Sequence, residues 1–382
     1  MRRVAVLALW GILLTGCGDE GNPIVAPDTG PKLESEFPAQ GASGVTVITR
    51  NLYVGADINP ILGAPSLPAI PGLAAAAFEQ VQATDFPERA EALADEISAT
   101  EPHLVGLQEV SLIRIQSPGD FFIGNPVPAT DVAFDYLAIL LDALEARGLD
   151  YAAVAVSQGV DVELPSATGD DIRLTDREVI LARGDVDISN VEEENFAVNL
   201  TIQVGGPGGP PLTILRGWVG VDATINHRTI RFVSTHLEPA SIPPIVPIQV
   251  AQANELIGVL AGVALPIIFV GDFNSAADGS TTPTYGILID AGFVDAWSEA
   301  RPRDPGFTCC QEPDLLNPTS VLDERIDLIL VRDDFEQDND IVGGVHVDVL
   351  GEEQGDRTPS GLWPSDHAGV LATLRLPPRQ LP

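Results

Sequence analysis

The sequence predicts an α/β sandwich built mostly from antiparallel strands, and three observations predict it. Short β-branched or apolar runs outnumber helical stretches; several neighbouring runs are joined by polar turns of hairpin length; and no Gly-rich phosphate loop of either nucleotide-binding type is present. Gly 36 and Pro 32 together make about 18% of the 382 residues, against roughly 12% in an average protein, so many connections are ordered loops. These features disfavour a doubly wound parallel sheet.

The chain opens with Met1-Arg2-Arg3, an apolar stretch from Val4 to Leu14, and then Leu14-Thr15-Gly16-Cys17. A charged start, a short apolar centre and small residues at a cleavage point describe an export signal over residues 1–16, too short to span a bilayer. The box is similar to the bacterial lipoprotein signal, in which the Cys is lipidated and becomes the mature N-terminus. That implies an exported lipoprotein anchored at the cell envelope through Cys17, with an ordinary cleaved signal and a secreted protein as the alternative. Residues 17–43, polar and punctuated by Gly and Pro, read as a flexible tether. One globular domain is expected over residues 44–378.

Val45-Thr-Val-Ile-Thr49 is β-branched and predicts the first strand, with Asn51 at its exit. The Pro/Ala/Leu-rich run from Ile58 to Ala77 reads as a packed insertion, with a membrane-contacting loop as its alternative, a choice that also applies to Ile242-Pro-Pro-Ile-Val246. Ala90, Leu93, Ala94 and Ile97 form one apolar face of a helix over 87–99, ended by Glu101-Pro102. Leu104–Leu107 predicts a buried strand, and 130–147 a helix closed by Gly148. Strands follow over 151–157, 179–182, 196–204, 212–221 and 230–236, the last two joined as a hairpin around Asn226-His227. Leu256–Val270 is apolar, but Pro266 divides it into a helix end and a strand. Strands over 326–331, 345–350 and 368–376 complete the domain.

Lys+Arg 20 against Asp+Glu 55 gives a formal net charge of −35, and Lys32 is the only lysine. A field of that sign opposes long-range attraction to nucleic acid or anionic lipid and favours a bound cation. It does not forbid a phosphate substrate, because a metal ion and a few arginines reverse the sign inside one cleft. Apart from Cys17, the cysteines are the adjacent pair Cys309 and Cys310. Neighbouring Cα atoms lie about 3.8 Å apart, so the pair bridges only as a strained ring. Two thiols or a ring without chemistry is the simpler reading, and nothing nearby recommends zinc.

Polar residues stand at the ends of otherwise apolar strands. Glu109 follows Leu104-Val-Gly-Leu-Gln108; Asp272 and Asn274 follow Ile267-Ile-Phe-Val-Gly271; Thr235-His236 ends a strand; Arg325-Ile326-Asp327 opens one; and Ser365-Asp366-His367 precedes the last. Residues two apart in an extended segment face the same side, so Asp272 and Asn274 can address one point. Singly, each has an ordinary reading as turn chemistry, a helix cap or a surface histidine. Together they weigh differently, for of only five histidines two, His236 and His367, fall within this set.

In this order, Thr49-Arg50-Asn51-Leu52, Leu107-Gln108-Glu109, Thr235-His236-Leu237, Gly271-Asp272-Phe273-Asn274, Arg325-Ile326-Asp327 and Ser365-Asp366-His367 make the chain resemble the endonuclease/exonuclease/phosphatase superfamily over nearly all of residues 45–378. The resemblance implies a DNase I-like fold, a four-layer sandwich of two mostly antiparallel sheets flanked by helices, and a metal-dependent hydrolase of phosphoesters. It implies that Glu109, with Asn51 and Asp366 close by, binds Mg²⁺, Mn²⁺ or Ca²⁺, since carboxylate and amide oxygens suit hard cations. It implies that His367, paired with Asp327, orients or deprotonates water. By the same resemblance Asp272 positions that water or the leaving oxygen, Asn274 bonds the phosphate, and His236 contacts the phosphate or protonates the leaving group. Arg177 corresponds to a phosphate-supporting arginine, with a surface ion pair as its alternative. Asp57 is a weaker candidate for a second metal or a supporting carboxylate.

The substrate is then a phosphoester: nucleic acid, phospholipid or a small diester. No obligate protein partner is inferred. A non-catalytic surface binding domain that keeps the fold is the alternative, and the joint presence of Glu109, Asp272, Asn274, Asp327 and His367 speaks against it.

Overall fold

A computed structural model describes residues 44–239, 245–332 and 345–375, and in it the apolar runs pair into two large sheets. The expected signal, the tether, Cys17, residues 242–244 and the end of the last strand at 376 lie outside the described residues.

In chain order the elements are β1 (Gly44–Asn51), α1 (Asn59–Leu62), α2 (Ile70–Ala83), α3 (Phe86–Thr100), β2 (Leu104–Gln108), β3 (Leu112–Gln116), β4 (Asp131–Asp135) and α4 (Tyr136–Ala146). Then come β5 (Tyr151–Pro165), β6 (Asp171–Arg183), β7 (Asp187–Asn195), β8 (Leu200–Gln203), β9 (Pro211–Ile214), β10 (Gly217–Ile225) and β11 (Arg228–His236). The chain continues through α5 (Val246–Leu260), β12 (Ile267–Asp272), α6 (Thr284–Asp290), β13 (Val294–Asp295), α7 (Ala296–Ala300), β14 (Asp327–Arg332), β15 (Val345–Leu350) and β16 (Gly369–Arg375).

One sheet of 8 strands runs β15-β16-β1-β2-β6-β3-β4, with β5 also on β6; the other, of 6, runs β13-β14-β12-β11-β10-β7; β8 and β9 form a separate hairpin. Among the described residues, only β1–β2 and β11–β12 pair in parallel. The inner faces meet in a core that includes Val47, Ile180, Phe232, Val270 and Val370. Two further cores cover the outer faces, one under α3 and α4 with Leu93 and Leu140, the other under α5 with Leu256 and Phe269. This is the four-layer sandwich the sequence predicts, because each sheet is apolar on both faces and each helix on one.

The sheets approach closely at Gly106 on β2, where an added Cβ would stand 2.6 Å from Val270 Cγ2 and 2.7 Å from Ser234 Oγ. The β10–β11 hairpin turns as expected at Asn226 and His227, both with positive φ (50 and 65°), the signature of a tight two-residue turn.

Several boundaries differ from expectation. The helix over 130–147 begins only at Tyr136, because Asp135 caps it and 131–135 pairs with β3. The strand over 196–204 is cut to β8, and that over 212–221 breaks at Leu215–Arg216 into β9 and β10. Most of the second half of the 58–77 insertion is α2, which buries Ile70, Ala74 and Val81.

Candidate active site

Register decides which side chains meet. On the parallel pair β1–β2, Asn51 lies opposite Gln108, so Glu109 exits beside it. Across the other sheet His236 pairs with Asp272, and Asp272 with Asp327, which sets three reactive side chains in one row over β11, β12 and β14. β16 runs antiparallel to β1, with Val370 opposite Thr49, and the short segment before it brings Asp366 and His367 to the same edge. Among the described residues, Glu109, His236, Asp272, Asn274, Asp366 and His367 line one cavity.

His367 Nδ1 lies 2.8 Å from Asp327 Oδ2, and both side chains are buried. Burial alone would lower the pKa of this imidazole, but the carboxylates of Asp327, Asp366 and Asp272 outweigh it and hold the group well above its ordinary value. Its Nε2 faces Asp272 Oδ2 at 3.8 Å. Burial, then the charge of Asp327, push Asp272 up to about 7 against the pull of His367. Its Oδ1 accepts from the Asn274 N–H (2.9 Å).

His236 is the opposite case. Arg216 NH1 sits 2.8 Å from its Nδ1, and a guanidinium only donates, so Nδ1 accepts and the ring proton belongs on Nε2. That nitrogen points at Asp272 Oδ2, 3.4 Å away. Burial and the Arg216 charge hold the pKa of His236 well below its ordinary value, so the ring is neutral.

Asn51 departs in detail from its expected metal role. Its Nδ2 donates to Glu109 Oε1 (3.2 Å) and Asp272 Oδ2 (3.1 Å), while its Oδ1 accepts from the Tyr53 N–H (2.9 Å). It therefore braces two carboxylates rather than presenting an oxygen. Glu109 Oε2 also accepts from the Val54 N–H (2.6 Å). Asp366 is raised to about 6 by burial, with the neighbouring Glu109 adding to the rise against His367. A buried carboxyl raised further by a neighbouring carboxylate is a setting that a hard divalent cation relieves, and the oxygen donors suit Mg²⁺, Mn²⁺ or Ca²⁺.

Among the described residues three groups bring their donor atoms within 4.8 Å of one another: Asp272–Asp327–His367, Asp176–Glu178–His236, and Cys309–Cys310–His367, whose two sulfurs are bonded to each other. In the first, the Asp327–His367 hydrogen bond occupies Asp327 Oδ2 and His367 Nδ1; in the second, Arg216 already supplies positive charge beside Asp176.

Arg177 is not brought to the site. It donates to Val110 O (2.8 Å) and pairs with Asp135 (2.5 Å), so it serves the loop behind Glu109. The reason is strand periodicity: Asp176 and Glu178 face the site, and the residue between them faces away. Asn274 donates its Nδ2 to Leu237 O (3.0 Å), and Asp57 Oδ1 accepts from the N–H and side chain of Asn59, so both carry local turns as well as lining the cavity. Cys309 and Cys310 are bonded to each other, and Cys310 Sγ lies 4.0 Å from His367 Nε2, a proximity the sequence did not suggest.

The residues missed by sequence are Arg216, Asp176, Glu178 and Glu238. Arg216 NH1 is 3.6 Å from Asp176, and Glu178 Oε1 is 3.8 Å from His236 Nδ1. Burial raises Glu178 well above its ordinary value and Asp176 to about 6. The available signal was an arginine inside an apolar strand run, which demands buried acids to pair with it.

Oxygen donors gathered around a carboxylate-held imidazole are the equipment of hydrolytic phosphate chemistry, in which a cation offsets negative charge and an imidazole manages water. The chain belongs to the Endonuclease/Exonuclease/phosphatase family, whose model matches residues 72–367. It is a phosphoester hydrolase of a divalent-metal-dependent type. Among similar solved structures, an endonuclease/exonuclease/phosphatase family protein from Leptotrichia buccalis shares 15% identity over 86% of this chain and 99% of its own, with a TM-score of 0.51. A family protein from Bacteroides thetaiotaomicron shares 17% identity over 88% and 99%, with a TM-score of 0.49. Zebrafish (D. rerio) TDP2 complexed with single strand DNA product shares 15% over 87% and 98%, with a TM-score of 0.49. At such identities the likeness concerns the fold. A search of curated proteins finds no match.

Proposed function

We propose that this edge hydrolyses a phosphoester bond by attack of a water held between His367 and Asp272. The observation that carries the reading is the 2.8 Å Asp327–His367 contact. His367 acts as the base in its neutral form, with Nδ1 committed to Asp327 and Nε2 taking the water's proton. A cation held by Glu109 and Asp366 would offset the carboxylate field that otherwise favours the charged ring, and Asp327 fixes the ring and stabilises the charge it acquires. Asp272, tied down by Asn51 and the Asn274 N–H, holds the same water from the other side.

His236, neutral and protonated on Nε2, donates to a phosphate or leaving-group oxygen. Glu109 and Asp366 hold the divalent cation, with Asn51 bracing Glu109. When bound, the cation neutralises charge that grows on the phosphoryl oxygens in the transition state.

The test is hydrolysis of bis-p-nitrophenyl phosphate by the full chain before chelation, after it, and after return of Mg²⁺ or Mn²⁺. Turnover that disappears with chelation and returns with the ion is the expected result; undiminished turnover after exhaustive chelation contradicts it.

A further inference from the structure

The catalytic edge is only one end of its cavity, which has a volume of about 520 Å³. The other end is a wall of aliphatic side chains, and the strands show how the two are joined. Along β6, Ile172, Leu174 and Asp176 line the cavity in succession; along β9 and its exit, Leu212, Ile214 and Arg216 do the same. Residues two apart in a strand share a face, so each strand passes from apolar to ionic as it enters the catalytic centre. α2 closes the same space with Ala77 and Phe78.

Among the described lining residues, Arg216 is the only Lys or Arg, and it is already surrounded by Asp176, Glu178 and Glu238. A polynucleotide held here would place its neighbouring phosphates against aliphatic carbon with no cation to meet them. An apolar chain would instead fill a cavity of the size that ordinarily takes a small-molecule ligand.

We propose that the cavity takes the alkyl or acyl portion of an amphiphilic phosphoester, with the phosphate at the His236–Asp272–His367 end. The proposal rests on the phosphoester-hydrolase reading above and adds the substrate class to it. Each methylene drawn from water into the wall is worth a factor of about three to four in affinity, so preference for the substrate grows with chain length until the cavity is full.

The experiment uses the full chain with p-nitrophenyl n-alkyl phosphate diesters from about two to about twelve carbons, a span chosen because each methylene contributes separately. All are kept below their critical micelle concentrations, and bis-p-nitrophenyl phosphate serves as the reference. In parallel, calorimetry measures the binding of n-alkyl phosphates of the same lengths. Steeply rising kcat/KM and tightening Kd with length are the expected results. The dependence flattens in Ala77→Trp, which fills the space, and in Leu212→Gln, which places an amide in the wall; circular dichroism and Tm report whether each variant folds. Turnover of the reference diester with no dependence on alkyl length overturns the proposal while leaving the hydrolase reading intact. Absence of turnover on every diester overturns the hydrolase reading, and calorimetry then decides the cavity: a Kd that does not tighten with length rejects it.

Discussion

The two histidines of the edge are given opposite properties by their neighbours. Arg216 and burial keep His236 neutral with its proton on Nε2, while three carboxylates hold His367 in favour of its charged form. The expense of this arrangement appears behind His236, where Glu178 Oε2 and Glu238 Oε2 have no hydrogen-bond partner among the described residues. Burial raises Glu238 above its ordinary value, although Arg216 pulls the other way. Because the folded carboxyl keeps its proton to higher pH than the unfolded one, the unfolded state gains stability relative to the fold as pH rises above about 4.3. Glu238→Gln removes that loss. Thermal melts therefore show a higher Tm than the parent at neutral pH and no gain below about pH 3, where Glu is neutral in both states; a variant that melts lower at neutral pH contradicts this. At this scale the sequence showed the reactive residues that end strands, such as His236, Asp272 and His367. It did not show which neighbour would turn inward. The resemblance offers Arg177 as a phosphate-supporting arginine with an ion pair as its alternative, and the structure shows the ion pair, to Asp135, because the period-two alternation puts Asp176 and Glu178 on the inner face.

Strand pairing, more than any loop, assembles the site. The parallel pairs β1–β2 and β11–β12 end at the same edge, and β14 and β16 begin there, so the row of reactive side chains depends on how closely the two sheets pack. At Gly106 the two sheets pack closely, with Ser234 and Val270 directly above it. Gly106→Ala overpacks the interface and lowers stability by about 1–3 kcal/mol in denaturant titrations, and a variant as stable as the parent would show that the sheets separate freely there. α3 was legible from the period of its one apolar face, and β12 from its unbroken apolar run. β7 was not: Asp-Ile-Ser-Asn-Val-Glu-Glu-Glu-Asn is mostly exposed and gives no alternating signal, and only its pairing with β10 makes it a strand. β4 was hidden because its residues run without a break into the helix that Asp135 caps.

Across the whole molecule, a net charge of −35 and, among the described residues, a cavity lined by a single arginine oppose an extended grip on a polyanion. The four-layer fold and the family were readable from six short motifs in order, since those motifs lie where register brings strand ends together. The apolar half of the cavity was not readable, because α2, β6 and β9 meet there only through tertiary packing. The hydrolase assignment depends on Asp327 and His367 acting as one unit. The most direct measurement is kcat/KM for bis-p-nitrophenyl phosphate, with added Mg²⁺, in the parent, Asp327→Asn, His367→Ala and the double variant. General-base catalysis by the pair predicts that His367→Ala loses about 10²–10⁴-fold and that adding Asp327→Asn to it costs little more. A His367→Ala enzyme that turns over at the parent rate would contradict the account.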